Sequence, residues 1–188
     1  MDVDHFTDIE IINRIVAGEK SFYKTLVERH QDFAFTLAFR ILKNRGEAED
    51  AAQDAFIKAF QSLGSFKKES KFSTWLYRIV CNTAISYQRK WKSHESIDIE
   101  KTGHEKMDGT RDQVEYGDRK KFVQQALSRL TKEETLLITL FYFKDQKMEE
   151  IARIASLNIN TTKVKLLRAR KKMGDELRSI LKEEVLNL

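Results

Sequence analysis

No proline occurs anywhere in the 188 residues, and glycine appears only seven times. A sandwich or barrel of short strands needs a tight turn roughly every ten residues, and such turns draw heavily on these two residues. A chain without that punctuation is left with helices. Charged residues make up 34%, well above the usual quarter, so those helices carry a large solvated surface. Hydrophobic residues make up 41%, enough for real cores, and the length suits one or two small domains.

Several function classes fall away at once. The single cysteine, Cys81, excludes a disulfide framework and a four-cysteine zinc site, and on a predicted helix it reads as buried and inert. The longest apolar run, Leu136–Phe143 with Thr139 inside it, is too short to span a bilayer. The start, Met1-Asp2-Val3-Asp4, is acidic and lacks the positive region of a secretory signal, so a soluble cytoplasmic protein with no membrane insertion is expected. The four histidines (His5, His30, His94, His104) are dispersed and form no metal-binding spacing. No phosphate-binding glycine motif is present. Glu47, Glu49, Asp50 and Asp54 have the spacing of a solvated or partner-facing helix stripe rather than of a metal site. No catalytic activity, cofactor or metal is expected.

Charge is unevenly distributed around a net of +5. Residues 92–118 hold Lys92, Lys101, Lys106 and Arg111 against eight acids, from Glu95 to Asp118. The segment Asn160–Met173 holds Lys163, Lys165, Arg168, Arg170, Lys171 and Lys172 and no acid. A concentrated basic block beside an acidic segment suggests a polyanion partner contacted at defined places. A solvated helix end whose cations complement the helix dipole would look the same.

The chain is predicted to fold as two small all-α domains, 1–91 and 118–188, joined by a flexible acidic linker over 92–117. Gly103, Gly109 and Gly117 fall in that stretch, which lacks apolar periodicity. Thr7-Asp8-Ile9-Glu10 fits a capping box opening a helix with Ile11, Ile12, Ile15 and Val16 on one face and Gly18 at its end. A second helix is expected from near Glu19, with Phe22, Leu26, Phe33, Leu37, Ile41 and Leu42. A third follows Asn44-Arg45-Gly46, with an apolar stripe from Ala48 through Phe56 and Phe60 to Leu63. A fourth runs from about Ser73 to Trp91. Beyond the linker, Phe122, Ala126, Leu127 and Leu130 form one face, and Thr131 starts the next helix. Glu149–Ala155 and Asn160–Leu181 then flank a short connector, which is the pattern of a helix-turn-helix with a basic second helix. The usual turn glycine is replaced by Ser156. An ordinary helical hairpin remains open on pattern alone.

Between Phe66 and Trp91, aromatic and basic residues interleave: Phe66, Lys67, Lys68, Lys71, Phe72, Trp75, Tyr77, Arg78, Tyr87, Arg89, Lys90 and Trp91. Aromatic faces stack on unpaired bases while lysine and arginine hold phosphates, so the set favours binding of a nucleic-acid strand. Asn82 lies on the same side of the helix as Trp75 and could reach a base edge. Taken singly, each aromatic is more readily a core residue.

These segments resemble one family in three places. Glu49-Asp50-Ala51-Ala52-Gln53-Asp54-Ala55-Phe56-Ile57-Lys58-Ala59-Phe60 resembles the polymerase-binding helix of bacterial sigma factors. Phe72-Ser73-Thr74-Trp75-Leu76-Tyr77-Arg78-Ile79 with Asn82 resembles the promoter-melting segment of the extracytoplasmic-function (ECF) group. Glu149-Glu150-Ile151-Ala152 followed by Arg168-Ala169-Arg170-Lys171-Lys172 resembles that group's C-terminal helix-turn-helix. The resemblance implies a dissociable subunit, monomeric in the holoenzyme, that joins core RNA polymerase and directs it to promoters. Glu49, Asp50, Gln53, Asp54 and Phe56 would contact the polymerase. Phe66, Lys67, Lys68, Lys71, Trp75, Arg78, Asn82, Arg89 and Lys90 would meet the melted −10 element. Thr161, Lys163, Val164, Lys165, Leu167, Arg168 and Lys171 would meet the double-stranded −35 element. The linker would thread the RNA-exit path, and an anti-sigma factor would cover the docking faces. The chain departs from the family pattern at Ser86, Ser156, Asn158, Asn160, Thr162 and Val164. Two other readings compete: a stand-alone helix-turn-helix regulator, which would dimerise on a palindrome, and a helical adaptor with no DNA contact.

Overall fold

The computed structural model describes the backbone of residues 5–94, 114–143 and 146–186, and the side chains of 5–89, 121–142 and 146–182. Among these residues all regular structure is helical. The elements are α1 (Asp8–Val16), α2 (Tyr23–Leu42), α3 (Arg45–Ser62), α4 (Phe72–His94), α5 (Val114–Ser128), α6 (Lys132–Phe143), α7 (Met148–Ile154) and α8 (Ile159–Leu186). The chain divides into two compact units. One is built on α1 to α4; the other carries α5, α6, α7 through Ala152, and α8. Helix α4 reaches His94 and α5 begins at Val114, so helix enters both ends of the stretch 92–117 expected to be a linker.

The first unit follows from its caps and its stripe of small residues. Thr7 accepts from the Glu10 amide at 3.3 Å, and Glu10 accepts from the Thr7 amide at 2.7 Å, closing the capping box. The helix ends when Gly18 turns to φ +110°, which lets the Glu19 amide reach the Arg14 carbonyl. Ile11, Ile12 and Ile15 are buried. Val16, expected on the same face, is 61% exposed, because the last residue of the helix falls at the stripe's edge. A short 3₁₀ turn over Lys20–Phe22 precedes α2, which therefore starts later than Glu19.

Helices α2, α3 and α4 pack against one another. Ala48, Ala51, Ala52, Ala55 and Ala59 line the buried face of α3, and small side chains let the neighbouring helix axes approach closely. The core around them includes Leu26, Leu37, Phe72, Leu76 and Tyr77, all at most 1% exposed. Each large apolar side chain so buried contributes about 1.5–3 kcal/mol. Phe60, expected among them, stays 36% exposed, with the Tyr23 ring 4.8 Å away. A polar clasp fixes α1 to α2 and α4: Asp8 pairs with His30 Nε2 at 2.8 Å and Arg29 at 3.1 Å, and His30 Nδ1 lies 3.2 Å from the Tyr77 hydroxyl.

In the second unit α5 and α6 pack on α8. A second capping box opens α6, from Thr131 and Glu134. Residues 135–140 of α6 are all buried, including two threonines. Their hydroxyls donate to carbonyls, Thr139 to Thr135 at 2.8 Å and Thr135 to Leu127 at 3.3 Å, so burial leaves neither unsatisfied. Helix α8 turns Thr162, Leu166, Ala169 and Ile180 inward.

Candidate functional site

Three exposed faces, each within one unit, carry the chemistry. On α3, Asp50 and Gln53 are exposed, and Glu49 is exposed but paired with Arg45 at 2.9 Å, one helical turn away. Asp54 is half-buried and accepts from the Tyr87 hydroxyl of α4 at 2.7 Å. That bond is the main reason the Tyr87 hydroxyl is pushed up to about 12. Phe56, expected as a partner contact, is only 7% exposed and belongs to the core, with its carbonyl accepting from Tyr23 at 2.6 Å. The residue on the outer face is instead its neighbour Ile57, 49% exposed, one turn beyond Gln53 and two beyond Asp50. Spacing from Asp50 was the available signal, since positions seven apart share a helix face.

The second face is the loop before α4 and the outer side of α4. Lys67, Lys68 and Lys71 are exposed on the loop. Lys68 takes a left-handed backbone (φ 58°) and its ammonium donates to Asn13 of α1 at 2.6 Å, which ties the loop down. Phe66, expected to stack on bases, is 7% exposed. Its ring packs 5.1 Å from Trp75 and 6.1 Å from Phe72, so it forms the base of the loop rather than its surface. Trp75 is half-buried on that cluster. Beyond it, Arg78, Asn82, Ile85, Ser86 and Arg89 are all exposed, and their spacing sets them along one side of α4. The Ser86 hydroxyl donates to the Asn82 carbonyl at 2.9 Å. The side chain of Lys90 lies outside the described residues. Cys81 is fully buried, and burial pushes its thiol up to about 12, as suits an inert core cysteine.

The third face lies on α8. Helix α7 ends in a Schellman turn: the Ser156 amide donates to the Arg153 carbonyl and the Leu157 amide to the Ala152 carbonyl. Ser156 adopts φ 55°, the left-handed conformation that glycine usually supplies. Asn158 then accepts from the Thr161 amide at 2.8 Å and caps α8. The turn fixes which side of α8 faces out. Lys163, Val164, Leu167, Arg168 and Lys171 are exposed, and Thr161 is half-buried at the helix start. Lys165, expected on this face, turns aside to Glu133 at 2.6 Å, and Lys172 pairs with Glu134 at 3.0 Å. Two acids in the first turn of α6 thus hold the flanking lysines. Among the described residues Lys163, Arg168 and Lys171 have no ion-pair partner. Arg170 lies over the rings of Phe141 and Tyr142, at 5.3 and 5.9 Å.

Among the described residues no group of histidine, cysteine or carboxylate side chains could hold a metal ion, and no helix is long and apolar enough to cross a membrane.

Comparison with known proteins matches the same segments. The model of sigma-70 region 2 covers residues 26–94, which hold α3, the loop and α4. The model of sigma-70 region 4 covers residues 123–173, which hold α6, α7 and the basic part of α8. The ECF RNA polymerase sigma factor SigW of Bacillus subtilis is 32% identical over 179 residues, covering 90% of this chain and 96% of that protein. The RNA polymerase sigma-H factor of Pseudomonas aeruginosa is 29% identical over 191 residues, covering 94% and 96%. Among solved structures, the sigma factor RpoE in complex with the anti-sigma factor NepR, from Bartonella quintana, has a similar fold. Its TM-score is 0.65 at 24% identity, over 83% of this chain and 96% of that one.

Proposed function

Because the chain belongs to the ECF group of bacterial RNA polymerase sigma factors, binding core polymerase and promoter DNA, we propose that it divides this work among the three exposed faces. It is a specificity subunit rather than an enzyme. The α3 face docks on the polymerase, through Asp50 and Gln53 with Ile57 as the apolar anchor. Glu49 and Asp54 lie at its edge. Carboxylates suit this role, since they repel DNA and reserve the face for a protein partner.

The loop and α4 take the melted −10 strand. Lys67 and Lys71 hold phosphates, Trp75 offers a partly open ring, and Asn82 reads a base edge, with Arg78 and Arg89 following the backbone. A base turned out of the stack costs a few kcal/mol, which stacking and a fitted loop must offset. Lys68, clamped by Asn13, shapes the loop that the strand meets.

The α8 face enters the major groove at the −35 element. Arg168, exposed on this face, pairs with guanine, and Lys163 and Lys171 hold phosphates beside it. The stretch between α4 and α5 serves as the tether between domains. We assign the protein to the cytoplasm, where polymerase and promoter meet, and expect an anti-sigma protein that covers the docking faces.

The observation that carries this reading is the presence, in one chain, of an exposed acidic stripe on α3 and of an exposed face on α8 that holds no acid from Ile159 to Met173. A stand-alone repressor has no use for the first. The test is initiation in vitro from a randomised promoter library, using this protein and bacterial core RNA polymerase. Enrichment of a paired −35/−10 motif that depends on the protein is the expected result. No transcription, together with salt-sensitive binding of the protein alone to a palindrome, would establish the stand-alone regulator instead.

A further inference from the structure

The exposed face of α8 is not uniformly polar. Val164 is 49% exposed and Leu167 is 68% exposed, and the two lie three residues apart on one side of the helix. Leu167 is among the most exposed large apolar side chains of the described residues. Single exposed leucines are common on protein surfaces, but this pair is bracketed by Lys163, Arg168 and Lys171. No acid occurs on α8 between Ile159 and Met173. The surroundings therefore select an anionic occupant, and a cation-rimmed apolar pair on the first turns of a recognition helix meets base edges rather than another protein core. In the major groove the apolar group on a base edge is the C5 methyl of thymine.

We propose that Val164 and Leu167 are specificity-determining residues that read thymine methyl groups in the duplex bound by α8. This rests on the reading of α8 as the −35 reader and adds which base pairs it selects: A·T pairs whose methyl falls under the two side chains. The polar contacts of Arg168 choose guanine, while the apolar pair chooses a methyl that no hydrogen bond could report. Desolvating one methyl against Leu167 contributes about 0.8 kcal/mol, or roughly fourfold in affinity.

The experiment uses holoenzyme, made from this chain and bacterial core polymerase, on the promoter selected above. Each thymine of the −35 element is replaced singly by deoxyuridine, which removes only the methyl and keeps every hydrogen-bonding group. Thymines elsewhere in the promoter serve as controls. We expect a loss of roughly fourfold in affinity at one or two −35 positions. We also expect that loss to shrink towards none in Leu167→Ala or Val164→Ala holoenzyme, because the methyl then has nothing to meet. Both side chains are exposed, so these variants keep their fold, which circular dichroism checks.

Sequence-dependent −35 binding that ignores every uracil substitution would overturn the methyl reading and leave α8 as the −35 reader. So would a selected −35 element without A·T pairs, or a uracil penalty that persists unchanged in both variants. Binding with no dependence on the −35 sequence at all would overturn the assignment of α8 and the methyl reading with it.

Discussion

The Tyr87 hydroxyl donates to Asp54 Oδ2 at 2.7 Å, joining α4 to the acidic side of α3. The bond holds Asp54 within the fold, as the ion pair with Arg45 engages Glu49. Asp54 is engaged, whereas Asp50, one turn back, is exposed. Tyr87→Phe removes the donor and leaves Asp54 near solvent. It should cost about 0.5–1 kcal/mol in urea denaturation, at the lower end for a partly exposed pair. Polymerase binding should remain close to normal.

Asp50→Lys should do the opposite. The side chain is exposed on α3, so the melting temperature should hold within a degree or two. Reversing the charge on the face proposed to dock on the polymerase should weaken association with core polymerase by about tenfold, or roughly 1.4 kcal/mol. Competition for core enzyme against the unmodified protein reads this directly. Equal competition would remove Asp50 from the docking face.

Arg168→Ala should weaken −35 binding by about 1–3 kcal/mol and relax preference at one base position, if the guanidinium pairs bidentately with guanine. Lys171→Ala should instead weaken binding evenly across sequences and lower the salt dependence by about one unit of slope. Selection on a randomised −35 library, repeated at two salt concentrations, separates the two.

Ser156 holds a left-handed backbone at the turn between α7 and α8. A side chain there costs about 1–2 kcal/mol, partly offset because glycine gains more freedom when unfolded. Ser156→Gly should therefore stabilise the helix-turn-helix by about 0.5–1 kcal/mol, and Ser156→Val should destabilise it. Hydrogen exchange of α7 and the start of α8 would register both changes.

Asp8 gives the chain an acid-sensitive clasp. Burial alone would raise its carboxyl, but the hydrogen bond and charge of His30, with those of Arg29, outweigh burial and hold it below the ordinary value of 3.8. In acid the unfolded chain therefore takes up this proton first. The clasp contributes fully above about pH 4 and is lost as pH falls through the depressed value. Asp8→Asn should cost about 1–2 kcal/mol at neutral pH, discounted for partial exposure, and the gap to the unmodified protein should close on acidification. Thermal melts between pH 3 and pH 7 would show a constant gap if Asp8 were not the group responsible.

Much of the fold was legible because its signals are local. A chain without proline, with capping boxes at Thr7 and Thr131 and apolar stripes at helical spacing, specifies its helices through contacts three and four residues apart. The cationic block of α8 and the acidic residues of α3 are likewise visible as composition along one segment. Which side chains reach solvent depends on contacts between helices, and here the tertiary structure decided. Phe56 and Phe66 read as binding aromatics but complete the core, because α2 and α4 close over α3 and the loop folds onto Phe72. Val16 and Phe60 read as interior apolar residues but stand outside. Lys165 joins the basic run in sequence, yet Glu133, 32 residues earlier, takes its charge. Helix periodicity defines a face only to within about a quarter turn, and pairings across tens of residues leave no trace in local spacing. The sequence by itself determined which helices form and what charge they carry; packing determined which of their residues stay exposed.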